Sequence, residues 1–249
     1  MLKRILITTD TVGGVWRYSL ELAHGFARRG ACVTLVTLGP SPNVAQRREA
    51  EAIPGLRLFC TDLPLDWLAD GPTQLADAAH VLAGVAARAR VDSVHLHTPA
   101  LVGNATWPAP VVAVAHSCVG TWWSAVRGGA MPADLAWRAA AVERGIARAN
   151  AVIAPTRSFA AALIAQYRSS RPIHPVLNGR RPLPGKADRR RRVFTAGRLW
   201  DAGKNIAAID AAAAHLGFPV FAAGPTFGPN GDTIHCERLH LLGQLHDAA

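Results

Sequence analysis

Short uninterrupted apolar runs, each followed by a stretch with helical spacing, recur along this chain, and that alternation limits its fold more than any other feature. The strand-like runs are Ile5–Thr9, Val33–Leu38, Leu56–Phe59, Val91–His97, Val111–Ala115 and Ala151–Ala154, with a short one around Val176. Helical stretches run from Val15 to Arg29, from about Pro72 to Ala89, over Pro132–Ala149 and over Ser158–Tyr167. In the first of these Trp16, Leu20, Ala23 and Ala27 form the apolar stripe, and Gly30 ends the helix as glycine does just past a C-cap. Strands apolar on both faces and separated by helices predict a parallel sheet covered on both sides, an α/β protein.

The pattern breaks at "NGRRPLPGKADRRRR", which is rich in proline, glycine and charge and reads as a linker. After it the alternation restarts: Val193–Ala196, an alanine-rich helix over Asn205–Leu216, Val220–Ala223, and "LHLLGQL" as a further strand. The expected domains are therefore residues 1–178, a basic linker over 179–192, and a second domain over 193–249. The second is shorter than the ~100–150 residues usual for a domain, so it is expected to be incomplete.

Composition narrows the function. No apolar run approaches the ~20 residues of a membrane span, and Met1-Leu2-Lys3-Arg4 leads straight into a strand without a signal-peptide core. Cytoplasmic residence is the expectation. Cys32, Cys60, Cys118 and Cys236 are scattered without a C-x-x-C pair and read as reduced, mostly buried thiols. His235, Cys236 and His240 lack a fourth ligand and make a poor zinc site. The net charge of +10 is concentrated in "GKADRRRR", just after Arg180 and Arg181. Such a run is either a solvated tether or a contact for an anionic membrane surface or phosphorylated ligand. Nucleic acid is not the expected partner, because no aromatic residues alternate with the basic ones as a stacking platform requires.

Gly13 and Gly14 lie between the first strand and the first helix. A glycine-rich turn there brings backbone N–H groups and a helix N-terminus against an anion. The dinucleotide form needs G-x-G-x-x-G and an acidic residue ending the second strand. The chain has G-G-V-W-R and Leu38-Gly39-Pro40 instead, which argues against a nicotinamide or flavin oxidoreductase. The segment "TDTVGGVWRYSLELAHGFARRGACVTLVT" resembles the opening of glycosyltransferase family 4 enzymes. "VHLHTP", "VVAVAHS", "ANAVIAPTRSFAAAL", "VLNG" and "VFTAGRLWDAGKN" are similar to later family segments, in the family's order.

The resemblance implies a GT-B-like architecture of two Rossmann-like domains. It also implies transfer of a sugar from a nucleotide-diphosphate donor to a carbohydrate or lipid-linked acceptor, with retention of anomeric configuration. His116, Arg198 and Lys204 are then the candidate catalytic residues. Gly13, Gly14, Arg198 and Lys204 would face the donor diphosphate, and His97 and Trp122 the acceptor. Fixed cations at a departing diphosphate can replace a divalent metal; no metal and no cofactor are expected, and no Asp-x-Asp motif is present. The family's pair of glutamates eight residues apart has no counterpart here, and Ser117 follows His116 where many relatives have Asp. The expectation is thus a chain inactive by itself, either part of such an enzyme or a non-catalytic acceptor-binding or partner subunit. An unrelated nucleotide-binding α/β module is the third reading.

Overall fold

In the computed structural model, which describes residues 3–182, 190–229 and 231–245, the chain divides into two units, Met1–Arg181 and Pro182–Ala249. The first carries β1 (Arg4–Asp10), α1 (Gly14–Ala27), β2 (Cys32–Leu38), α2 (Val44–Glu51), β3 (Leu56–Cys60) and α3 (Pro72–Ala89). It continues through β4 (Ser93–Leu96), β5 (Val111–Val114), α4 (Val119–Trp122), α5 (Ala133–Arg148), β6 (Ala151–Ala154), α6 (Arg157–Tyr167) and β7 (Ile173–Pro175). All seven strands are parallel, in the order β3-β2-β1-β4-β5-β6-β7.

Strand alternation divides the core between the two faces of the sheet. Leu6 of β1 and Val36 of β2 join Leu75, Leu82, Val142, Ile146 and Leu163 from the helices of one face. Ile5, Ile7, Val33 and Leu35 turn the other way, onto Trp16, Leu20 and Ala23 of α1 and Ala50 of α2. Trp16 is buried here, and its indole N–H donates to Glu49 at 3.2 Å, while Arg17 pairs with the same carboxylate at 3.1 Å. That tie explains a bulky aromatic in the first turn of α1.

Several elements depart from the sequence reading. The helix α2 has no apolar stripe; Ala50 is its one buried residue, and its start is fixed by a capping box between Asn43 and Gln46. The fourth strand is shorter than Val91–His97, so His97 stands just beyond its C-terminal end. The seventh lies at Ile173–Pro175, leaving Val176 past its end and half exposed. Of the four cysteines only Cys118 is fully buried; Cys32 is exposed. The expectation of mostly buried thiols is therefore corrected: three of these cysteines lie at strand ends or in loops that helices do not cover.

The second unit has β8 (Val193–Ala196), α7 (Ile206–Ala213), β9 (Val220–Ala223) and β10 (His240–Leu241), with the strands parallel in the order β10-β9-β8. Leu199, Ile206, Val220, Ala222 and Leu239 form its core. Asp210 of α7 fastens the approach to β10: its carboxylate accepts the backbone N–H groups of Glu237, Arg238 and Leu239 at 3.3, 2.9 and 3.2 Å. Those three donors, the Arg238 amide foremost, hold its carboxyl below the usual carboxylate range. Asp210→Ala should leave three buried or half-buried N–H groups unpaired and cost the second unit about 1.5–3 kcal/mol, the range for hydrogen bonds to charged groups. Urea unfolding followed by Phe221 and Leu239 resonances measures it; an unchanged midpoint would show that other contacts hold β10.

Of the basic run, Lys186 to Arg189 lie outside the described residues. Arg191 and Arg192 stand over the rings of Phe218 and Phe221 at 5.3 and 5.9 Å, so this end of the run is engaged with the second unit. No described helix is long and apolar enough to cross a membrane.

Candidate functional site

In the first unit the order of strands reverses at β1, whose two neighbours are β2 and β4. At such a switch point the connections leaving the strand ends run to opposite faces and open a crevice beyond the C-terminal edge, where ligands of open α/β sheets bind. The chain places Gly13 and Gly14 after β1, His97 after β4 and His116 after β5, so all four stand along this edge.

The histidines converge. His97 and His116 meet edge to face with ring centroids 5.1 Å apart, and His95, two residues back on the same face of β4, lies 5.2 Å from His97. Tyr18 of α1 packs edge to face on both His97 (5.2 Å) and His116 (4.6 Å). The Nε2 atoms of all three histidines are buried and have no hydrogen-bond partner among the described residues. Burial disfavours the imidazolium: His95 and His116 are each lowered to about 4, and His97 lies well below its ordinary value, with the neighbouring rings adding repulsion at His95 and His97. At neutral pH the edge is therefore lined by uncharged imidazoles.

The glycine turn is organised by a residue that sequence reasoning passed over. Asp10, the last residue of β1, accepts the N–H groups of Val12 (2.9 Å) and Gly13 (3.2 Å). Gly13 is extended, and α1 begins at Gly14 without a side-chain cap. A Cβ built on Gly14 would meet nothing within 4 Å, so the position is open and not required by local packing. Behind the turn, Asp66 receives a hydrogen bond from Thr98 at 2.7 Å; burial pushes its carboxyl up, and repulsion from Asp10 adds to the shift. Trp122, on α4, is in contact with Trp123 (6.3 Å between centroids) and lies beneath the Arg127 guanidinium (5.7 Å). A separate cavity of about 520 Å³ lies between the β3–α3 loop and the start of α5, with Trp67, Trp137 and Arg138 in its lining.

In the second unit Arg198 and Lys204 both lie in the connection from β8 to α7. Arg198 pairs with Asp201 at 2.8 Å, and its guanidinium stands 5.4 Å from the Trp200 ring centre. Asp201 also accepts the Gly203 N–H at 2.9 Å and so shapes the short 3₁₀ turn that presents Lys204. Lys204 is exposed, and Asn205, left-handed at φ 49°, opens α7 without a side-chain cap. Gly197, Gly224 and Gly243 follow the ends of β8, β9 and β10. A Cβ on Gly224 would lie 1.7 Å from the Gly197 carbonyl oxygen, so the two backbones touch here with no room for side chains.

Tyr18, Ser19, His95, Asp10 and Asp66 were missed from sequence. The spacing His95-Leu96-His97 carried a usable signal, since alternate residues of a strand share a face; the others are brought in by tertiary packing.

Two Rossmann-like units, one with a seven-stranded parallel sheet and one with a cationic βα turn, define an α/β protein of the GT-B class. Solved structures with this fold include LpCGTa in complex with UDP, at 18% identity and TM-score 0.57, with 92% of this chain and 67% of that one covered. UGT89C1 of Arabidopsis thaliana complexed with UDP-L-rhamnose matches at 11% identity and TM-score 0.58, with 98% and 70% covered. A UDP-N-acetylglucosamine 2-epimerase matches at 12% identity and TM-score 0.54, with 99% and 70% covered. At these identities the likeness is one of fold, and the epimerase shows that one fold hosts different reactions. No curated protein sequence matches the chain. Residues 12–182 match Glycosyltransferase Family 4, and the chain belongs to that family.

Proposed function

We propose that the protein is a retaining glycosyltransferase that moves a sugar from a nucleoside-diphosphate donor to a hydroxyl of a carbohydrate or lipid-linked acceptor, with no metal or other cofactor. The observation that carries this reading is the β8–α7 turn. Arg198 is fixed by Asp201 beside an exposed lysine and an uncapped helix N-terminus, three positive features within one short turn. Breaking a glycosidic bond to a diphosphate loads charge onto the leaving group, and preset cations and N–H dipoles lower that barrier without moving. The uridine diphosphate ligands of the structural neighbours support the same donor class.

The first unit takes the complementary role. His116 would contact the donor sugar, and His97 and Trp122 the acceptor. Neutral imidazoles suit hydroxyl groups better than phosphate. The same applies at Gly13 and Gly14: with Asp10 holding the Val12 and Gly13 amides, a hydroxyl is a better neighbour for this turn than the diphosphate. Any attraction of the basic run to anionic lipid would be weak and screened by salt.

Calorimetry with UDP, in buffer containing EDTA, tests the reading. Arg198→Ala and Lys204→Ala should each cost roughly 1.5–3 kcal/mol of binding. Affinities within twofold of the unmodified chain for both variants would reduce these residues to ordinary surface charge. Loss of binding on adding EDTA would contradict the metal-free part.

A further inference from the structure

Ser19 sits at the centre of the first unit's site, fully buried on α1, and its hydroxyl oxygen has three polar neighbours. They are the Val15 carbonyl oxygen at 2.7 Å, Thr9 Oγ1 at 2.9 Å and His97 Nδ1 at 3.1 Å. A hydroxyl has one proton to donate and two lone pairs to accept with. The Val15 oxygen can only accept, and it is the nearest of the three, so the Ser19 proton goes there, as serine often bonds back to the residue four positions earlier in a helix. Thr9 Oγ1 is a second acceptor for that proton, since its own hydroxyl donates to the Asp10 carbonyl oxygen at 3.2 Å. With the one Ser19 proton taken by Val15 and Thr9, none remains for His97, which must supply one at Nδ1, since otherwise two lone pairs would face each other at 3.1 Å.

A neutral imidazole carries one N–H, so a proton on Nδ1 leaves Nε2 bare. That Nε2 is the atom found buried without a partner among the described residues. The His97 main chain is held as well, its N–H donating to Thr8 Oγ1 at 3.0 Å, so both ring and backbone are fixed relative to β1.

From this valence count we infer that Ser19 is a positioning residue that holds His97 as its Nδ1–H tautomer, so that Nε2, closed off from solvent in this structure, keeps a lone pair for a hydroxyl of the sugar acceptor that enters among the rings. The inference rests on the acceptor-side role given to His97 above. It adds a selection rule: this position attracts a ligand atom that bears hydrogen and repels phosphate oxygens, which have none to give. His97 thereby separates the polyol part of the substrates from the diphosphate part.

Long-range ¹⁵N–¹H spectra of the histidine rings in the full 249-residue protein at pH 7 report the tautomer directly. His97 is expected with its proton on Nδ1; a proton on Nε2 overturns the inference without any variant being made. Ser19→Ala should shift His97 towards the Nε2–H form, and Ser19→Thr, which restores a hydroxyl, should return it. An unchanged Nδ1–H signal in Ser19→Ala also overturns the role of Ser19. The UDP titration is independent of this result. A protein that binds no UDP yet keeps the Nδ1–H tautomer contradicts the proposed function alone, and the reverse outcome contradicts the Ser19 assignment alone.

Discussion

Gly145→Ala should unfold the first unit under conditions where the unmodified chain is stable. Gly145 lies on the face of α5 that crosses the 3₁₀ turn Pro99–Asn104, and a Cβ there would stand 1.7 Å from the Pro99 carbonyl oxygen and 2.5 Å from its carbon. Both obstacles are backbone, so no rotamer change relieves them. The helix would have to lift by more than 1 Å, drawing Ala141, Val142 and Ile146 out of the core on the same face. Displacing a whole helix belongs with the exceptional substitutions costing roughly 4 kcal/mol or more. Gly103, across the same contact, is the control: its added Cβ would meet the Arg144 Cβ at 3.2 Å, which a small shift accommodates, at about 1–3 kcal/mol. Urea midpoints of the two variants decide the matter. Equal, small losses in both would mean that α5 does not pack on the turn this closely.

The second large effect is acid instability confined to the first unit. His95, His97 and His116 have folded-state values below 6.5 because burial penalises their charged forms. Between pH 6.5 and about 4 the unfolded chain therefore binds protons that the folded chain refuses, and stability falls with pH across that window. For His95, 7% exposed and lowered to about 4, the loss is on the order of 3 kcal/mol. His97 adds to it, and His116 adds a share reduced by its partial exposure. Asp66 works the other way: its raised value means the folded chain binds a proton more readily just above pH 3.8, recovering part of the loss. The sum is comparable with the ~5–15 kcal/mol stability of an ordinary domain. Asp210, with its value lowered, keeps supporting the second unit until the pH drops below 3.8. Acid titration followed by residue-resolved NMR should show the first unit opening before the second. His95→Gln should flatten the slope between pH 6.5 and 4 by about one proton. A first unit equally stable at pH 7 and 4.5 would refute the neutral-histidine edge.

The layered α/β design was legible from sequence because interior strands such as β1, β5 and β6 carry apolar runs that serve both faces and each long helix carries a stripe. The helix α2 was not, since "VAQRREAE" has no stripe and owes its start to two polar side chains. The candidate site was legible in position but not in chemistry. His97 and His116 could be placed at strand ends, and Arg198 and Lys204 in one turn. The bond from the Gly13 amide to Asp10 could not, because it is a local contact that no periodicity announces. Tyr18 and Ser19 read as part of an amphipathic helix, and only the packing of α1 over the end of β4 turns them towards His97.

The interior position of β1, between β2 and β4, has a consequence for how the chain is made. Of the strands in its sheet β1 is translated before the others and finds β2 about twenty residues later, yet its other edge pairs with Ser93, Val94 and His95. At ~5–20 residues per second, the edge at Ile5, Leu6 and Ile7 stays bare for roughly 4–17 s while the chain between β1 and β4 is translated. During that time a strand that lies inside the finished sheet is an outer one. The histidine edge, built on the strands that close that gap, is therefore among the last parts of the first unit's centre to take shape.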